Sequence, residues 1–117
     1  MPDNQIRRDA SGRLTFEMFH VSADSYRAVR DAVVSAFQLE PETAPVTNGC
    51  DIVFQDFRRG EHVVGLEWDN WTGFTVVAKT PASESIVRDI AAWLLQSEWA
   101  TLANTTEPGA ATNRSSE

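Results

Sequence analysis

The chain has almost no cysteine, no long apolar run and no excess of basic residues, and each absence removes a class of protein. Cys50 is the only cysteine among 117 residues, so no internal disulfide can form, as is typical of a reducing compartment. No run approaches the roughly 20 apolar residues that span a bilayer, and no secretory leader is recognisable. These absences predict a cytoplasmic protein without a membrane partner.

The charge balance disfavours a second group of functions. The chain carries 17 acidic and 10 basic side chains, for a net charge of −7. Proteins that bind nucleic acid need a basic surface to neutralise the phosphates, so we expect no nucleic-acid partner. A basic protein partner remains compatible with this charge, because opposite charges steer encounter.

Recognisable motifs for chemistry are also missing. The six glycines form neither the dinucleotide-binding nor the phosphate-loop pattern. None of the histidine and cysteine residues stand at zinc-ligand spacing. The residues considered as metal ligands are His20, His62, Cys50, Asp51, Asp56 and Glu67. We expect no cofactor and no metal site, the sequence identifies no catalytic residue, and a non-enzymatic role is favoured.

What the chain does contain is a central stretch, residues 51–79, that predicts three antiparallel strands. Residues 62–68 and 74–79 alternate between apolar and polar side chains around a turn rich in Asp, Asn and Gly. Centring that turn on Trp71 places all the apolar partners on one face. The predicted pairs are Trp68 with Phe74, Leu66 with Val76 and Val64 with Ala78.

The preceding turn is predicted as a three-residue loop over residues 58–60, with Gly60 in the left-handed conformation. This register sets Phe54 opposite Val64 and Asp56 opposite His62. A two-residue loop over residues 59–60 would instead place Gln55 opposite Val64 and mix polar with apolar residues. The three-residue loop is therefore preferred.

That register divides the sheet into a core face and a half-apolar outer face. The core face is predicted to carry Ile52, Phe54, Val64, Leu66, Trp68, Phe74, Val76 and Ala78. The outer face groups four apolar residues around Gly65, namely Val53, Phe57, Val63 and Val77. This group is either ordinary exposed surface or, together with Trp71, a contact face for a partner protein or a second copy of the chain.

The flanking segments complete the predicted fold. Residues 14–21 predict a strand, residues 22–39 and 80–102 predict amphipathic helices, and residues 40–49 predict a loop. The fold class is α+β in the order β-α-β-β-β-α, with a four-stranded, mainly antiparallel sheet and both helices on one face. A flexible arm (1–12) and a disordered tail (103–117) would flank one domain (13–102). Where strand 14–21 pairs is left open.

Three features leave functional alternatives. Trp71 at the hairpin tip either folds back over the sheet, which we favour, or stays exposed as a binding residue. Asp56 and His62 form either a cross-strand ion pair, again favoured, or an acid–base pair in a pocket. The chain is thus predicted to be a protein-binding or assembly module, by analogy with small acidic secretion chaperones and immunity proteins. The alternative is a small enzyme or ligand-binding domain near Asp56 and His62.

Overall fold

In the computed structural model, which describes residues 6–19, 21–47 and 52–99, two α-helices cover one face of an antiparallel sheet. This confirms the predicted α+β class. The strands are β1 Ile6–Arg8, β2 Leu14–Met18, β3 Glu40–Pro41, β4 Val46–Thr47, β5 Ile52–Phe54, β6 Asp56–Arg59, β7 His62–Asp69 and β8 Gly73–Ala78. The helices are α1 Ala23–Phe37 and α2 Glu84–Leu95.

The sheet has eight strands, so the prediction of four was wrong. Its order is β1-β2-β8-β7-β5-β4, and β6 pairs with both β7 and β3. Three extra strands come from segments predicted as arm or loop: β1 lies within residues 1–12, and β3 and β4 lie within residues 40–49. The fourth arises because the strand before the first hairpin is interrupted at Gln55, which separates β5 from β6.

The pairing of β2 answers the question that the sequence left open. β2 runs antiparallel to β8, with Phe16 opposite Val76 and Met18 opposite Phe74. On its other side, β2 pairs with β1, with Ile6 opposite Phe16. β2 therefore lies between β1 and β8, and β8, which also pairs with β7, is a central strand of the sheet.

The two hairpins of the central stretch had different outcomes. The β7–β8 register is confirmed, with Trp68 opposite Phe74, Leu66 opposite Val76 and Val64 opposite Ala78. The β6–β7 register was wrong by three residues, because the turn is formed by Gly60 and Glu61 and places Arg59 opposite His62. Gly60 has φ +63°, which glycine adopts without steric cost.

A shift by an odd number of residues exchanges the two faces of a strand. Phe57 now lies opposite Val64 and Val53 opposite Trp68, so both face the helices. Phe54 and Asp56 face away from them. The physical reason is the burial of Phe57, which is only 3% exposed and fills the core position that the prediction gave to Phe54.

The first helix begins where the sequence predicted, whereas the second begins at Glu84, later than the predicted start at residue 80. Ser22 caps α1 by accepting a hydrogen bond from the amide of Ser25 at 3.2 Å, and Gln38 ends the helix in the left-handed conformation. A 3-10 turn over Pro81–Ser83 leads into α2. The second helix is shorter than predicted, because it ends at Leu95; residues 100–102 lie outside the described ranges.

The core lies between the helices and the sheet. Side chains of both helices and of the central strands form one buried cluster, and Trp68 anchors the β2–α1 connection by donating from Nε1 to the Val21 carbonyl at 2.8 Å. β1 is tied to α2 because Arg8 donates to Glu84 at 2.7 Å, and that bond lowers the pKa of the Glu84 carboxyl. No helix in the described part of the chain is long and apolar enough to cross a membrane.

Candidate functional site

The predicted contact face does not form as a unit. Val63 and Val77 lie on the outer face, which points away from the helices, whereas Val53 and Phe57 lie on the helix-covered face. Val77 is nevertheless only 3% exposed. It sits between Gly65 on β7 and Thr15 on β2, so the neighbouring long side chains of the outer face must cover it.

Charged side chains of the outer face form ion pairs. Arg7 on β1 contacts Glu17 on β2 at 3.0 Å, and Lys79 contacts both Glu67 at 3.1 Å and Asp56 at 3.4 Å. The outer face therefore carries ion pairs around Gly65, and its exposed apolar side chains are Phe54 and Val46 rather than the group that the sequence predicted.

Gly65 allows the pairs around Lys79 to form. A Cβ placed on Gly65 would lie 2.6 Å from Lys79 Cε, 2.8 Å from Glu67 Oε2 and 3.2 Å from Asp56 Oδ1. Two of these distances are shorter than any ordinary van der Waals contact. The missing side chain of Gly65 thus provides the space in which one ammonium and two carboxylates meet.

Beside these charges lies a shallow concavity of about 410 Å³ that is open to solvent. Its apolar wall is the cross-strand pair of Val46 on β4 and Phe54 on β5, which are 60% and 39% exposed. Arg13 stands at another part of its rim. A mixed wall of this kind can hold a small polar molecule that has an apolar part.

Asp56 and His62, the predicted polar site, are not brought together. Asp56 lies opposite Gly65 on the outer face, whereas His62 lies opposite Arg59 with its side chain on the helix side. His62 Nδ1 is 3.0 Å from the Ala82 carbonyl; because a carbonyl only accepts, Nδ1 carries the proton there. The ion pair and the acid–base pair both required the wrong register.

The described residues contain no group of three His, Cys, Asp or Glu side chains that could hold a metal ion. Three of the residues considered as ligands, His20, Cys50 and Asp51, lie outside the described ranges.

Trp71 is the most exposed large apolar side chain of the described residues, at 73%. The favoured prediction, that it folds back over the sheet, was therefore wrong. Its turn is held by Asp69, whose Oδ1 accepts from the Trp71 amide at 2.8 Å and from the Thr72 amide at 2.7 Å. The Thr72 hydroxyl also donates to this carboxylate at 3.0 Å. The indole thus projects from a backbone that is already fixed.

A second aromatic side chain, Phe19, stands at the same end of the sheet and is 51% exposed. Gly73 brings the two segments together: it has φ +74°, and a side chain there would overlap the Met18 carbonyl and lie 2.9 Å from the Phe19 backbone. We call the surface formed by Phe19, Asp24, Asp69 and Trp71 the aromatic end. Asp24 is included because the start of α1 is held at this end of the sheet, where the Val21 carbonyl accepts a hydrogen bond from Trp68 Nε1, next to Asp69.

Sequence reasoning missed Phe19, Phe54 and Val46 as exposed apolar residues. Only the exposure of Phe19 could have been predicted from the sequence. Leu14, Phe16 and Met18 are every second residue of the strand and face the core, so Phe19 falls on the opposite side. Phe54 was hidden by the wrong register, and Val46 lay in a segment predicted as loop.

Comparison of the chain with protein-family models gave no match. Comparisons with curated proteins and with solved structures gave none either. The proposals below therefore rest on the geometry of this chain alone.

Proposed function

We propose that this protein is a non-enzymatic protein-binding module that contacts its partner through the aromatic end. The observation that carries the proposal is the 73% exposure of Trp71 on a turn whose backbone is fixed by three hydrogen bonds to Asp69. Tryptophan is among the residues that dominate binding energy at protein interfaces. A turn whose backbone is already fixed loses little further conformational entropy when the indole is covered.

The position of Phe19 supports the same function. A single exposed aromatic residue is common on monomeric proteins, but here two project from one end of the sheet because Gly73 permits the close approach of their segments. Hot-spot residues at interfaces also tend to cluster. We therefore propose the hairpin tip as the contact surface rather than Val53, Phe57 and Val77, which are buried or partly buried.

The test is site-specific photo-crosslinking in cells that naturally produce the protein. A benzophenone amino acid replaces Trp71 in one variant and Ser85, which is exposed on α2, in the control. We expect discrete heavier adducts from position 71 and not from position 85. Solution mass across a concentration series then shows whether the partner is a second copy. Equal adducts from both positions, or none from position 71, would refute the function.

A second candidate function is the binding of a small molecule in the concavity beside Lys79. It is favoured by Gly65, whose missing side chain leaves room for three charged groups next to the apolar pair Val46 and Phe54. A screen of small zwitterions and amines by thermal shift would support it if hits vanished in Phe54→Asp. Hits that persist in that variant would place the binding elsewhere.

A further inference from the structure

Building on the protein-binding function proposed above, we propose that the aromatic end recognises a basic segment of the partner, with an arginine side chain stacked on the Trp71 indole. The inference concerns the chemistry of the partner. It can fail while the protein-binding function itself stands.

The first support is the single sign of charge at this end of the molecule. The segments at this end, residues 16–26 and 67–76, contain no lysine or arginine but four acidic residues, namely Glu17, Asp24, Glu67 and Asp69. Two of these acids are neutralised, Glu17 by Arg7 and Glu67 by Lys79. Within the described residues, neither Asp24 nor Asp69 forms an ion pair with a basic side chain.

Those two carboxylates give the aromatic end a local negative potential. Asp24 is exposed in the first turn of α1. Asp69 accepts hydrogen bonds from neutral donors of the turn, which leaves its charge uncompensated. The closest basic residue along α1 is Arg27, one turn beyond Asp24. A cationic segment that approaches Trp71 is therefore attracted by the Asp69 carboxylate, which lies in the same turn two residues from the indole.

The second support is the form of the exposed side chain. The face of an indole attracts cations because its π-system carries negative charge above the ring, and tryptophan is the best aromatic residue for this contact. A planar guanidinium can also stack on the ring, which an ammonium cannot. Phe19 adds apolar surface beside it for the alkyl part of the arginine or for a neighbouring apolar residue.

The same observations disfavour the other occupants. A second copy would present the same two acids and the same net charge of −7, so contact between two aromatic ends would bring like charges together. Nucleic acid and anionic lipid carry the same sign of charge and would be repelled. A basic protein segment is the macromolecular ligand that suits both the charge and the aromatic side chains.

The experiment uses fluorescently labelled decapeptides of alternating residues, Arg-Gly, Lys-Gly and Ser-Gly, titrated with the full chain while anisotropy is followed at low and at physiological salt. We expect binding in the order Arg-Gly, Lys-Gly, Ser-Gly. Arg-Gly should bind roughly two- to five-fold more tightly than Lys-Gly, since a cation–π contact at an exposed site contributes about 0.5–1 kcal/mol. Salt should weaken the binding.

Matched variants separate a site from general charge attraction. Trp71→Ala is expected to weaken Arg-Gly binding about tenfold, which is the effect of losing about 1.4 kcal/mol at a contact residue. Ser85→Ala, at the exposed α2 position that serves as the crosslinking control, should change nothing. Asp24→Asn should weaken binding more than Asp89→Asn, which removes the same charge from an exposed position on α2. Circular dichroism verifies that each variant is folded.

Each result of these titrations either supports or contradicts recognition of a basic segment by the aromatic end. Equal binding of Arg-Gly and Ser-Gly, unchanged binding by Trp71→Ala, or equal losses from Asp24→Asn and Asp89→Asn would each overturn the proposal. If photo-crosslinks form at position 71 while the peptides show any of these results, the protein-binding function stands and the basic partner is wrong. If the peptides bind as expected but no crosslink forms in cells, the chemistry of the surface stands and the proposed function fails.

Discussion

The two faces of the sheet achieve burial by different means. On the helix-covered face, apolar side chains from α1, α2 and the central strands pack into one cluster that excludes water. On the outer face, Val77 and Gly65 are buried beneath paired charged side chains. The first arrangement removes apolar area from water, at roughly 25 cal/mol per Å², whereas partly exposed ion pairs each contribute about 0–1 kcal/mol. Stability is therefore concentrated on the helix-covered face.

This difference also explains where binding can occur. The outer face carries ion pairs around Gly65, and its exposed apolar side chains, Phe54 and Val46, line the shallow concavity beside them. The aromatic end carries Trp71, the most exposed large apolar side chain of the described residues, together with Phe19.

The largest expected contrast between the two faces comes from two phenylalanines three residues apart. Phe57→Ala should lower the free energy of unfolding by about 3–5 kcal/mol, as buried phenylalanine truncations do. Phe54→Ala should lower it by less than about 1 kcal/mol, because Phe54 is 39% exposed. Urea denaturation followed by tryptophan fluorescence measures both. Equal costs, or a larger cost at Phe54, would show that β6 faces the opposite way.

An intermediate effect is expected at Tyr26, which joins α1 to β7. Its hydroxyl donates to the Leu66 carbonyl at 2.7 Å, and burial of the ring raises the pKa of Tyr26 to about 12. Because the folded pKa lies above the unfolded value near 10, stability from this group is complete below pH 10 and is lost as the pH rises towards 12. Tyr26 is the only tyrosine in the chain, so absorbance at the phenolate band reports on it alone.

The titration has a built-in reference. In denaturing urea the midpoint should fall to about pH 10, the ordinary value for tyrosine. Tyr26→Phe should remove the signal and lower the free energy of unfolding by about 1–3 kcal/mol at neutral pH, because it leaves a buried carbonyl without that donor. A native midpoint near pH 10 would contradict the burial of the hydroxyl and would weaken the contrast between the faces.

The sequence predicted the β7–β8 hairpin because local turn chemistry and hydrophobic alternation agree there. Asp69 and Gly73 bound the turn, and only one register places Trp68, Leu66 and Val64 opposite apolar partners. In the β6–β7 hairpin the two signals conflict. Phe54 and Phe57 lie an odd number of residues apart, so they face opposite sides of the sheet. Either one can be placed opposite Val64, and which of them is buried depends on how α1 and α2 pack over the sheet. The packing of the helices cannot be inferred from the residues of the hairpin alone.

The candidate site was predictable only in part, for the same reason. Trp71 was identified from the turn, but its exposure depends on whether other segments reach the tip, and the alternation pattern carries no such information. The role of Gly65 depends on Asp56 of β6, Glu67 of β7 and Lys79, which directly follows β8. Their meeting follows from the correct register of β6, so the wrong register hid it.

The smallest expected effect tests the outer face itself. Gly65→Ala should lower the free energy of unfolding by less than about 1 kcal/mol, because the atoms it would overlap are the ends of Lys79 and Glu67 side chains, which can move away. The cost should nearly vanish in a Lys79→Ala background, where the nearest overlapping atom is gone, so a double-mutant cycle should show coupling between the two positions. If Gly65→Ala instead lowers the free energy of unfolding by several kcal/mol in both backgrounds, the backbone of β7, and not the charged side chains around it, excludes a side chain at position 65. The outer face would then be packed as tightly as the helix-covered face.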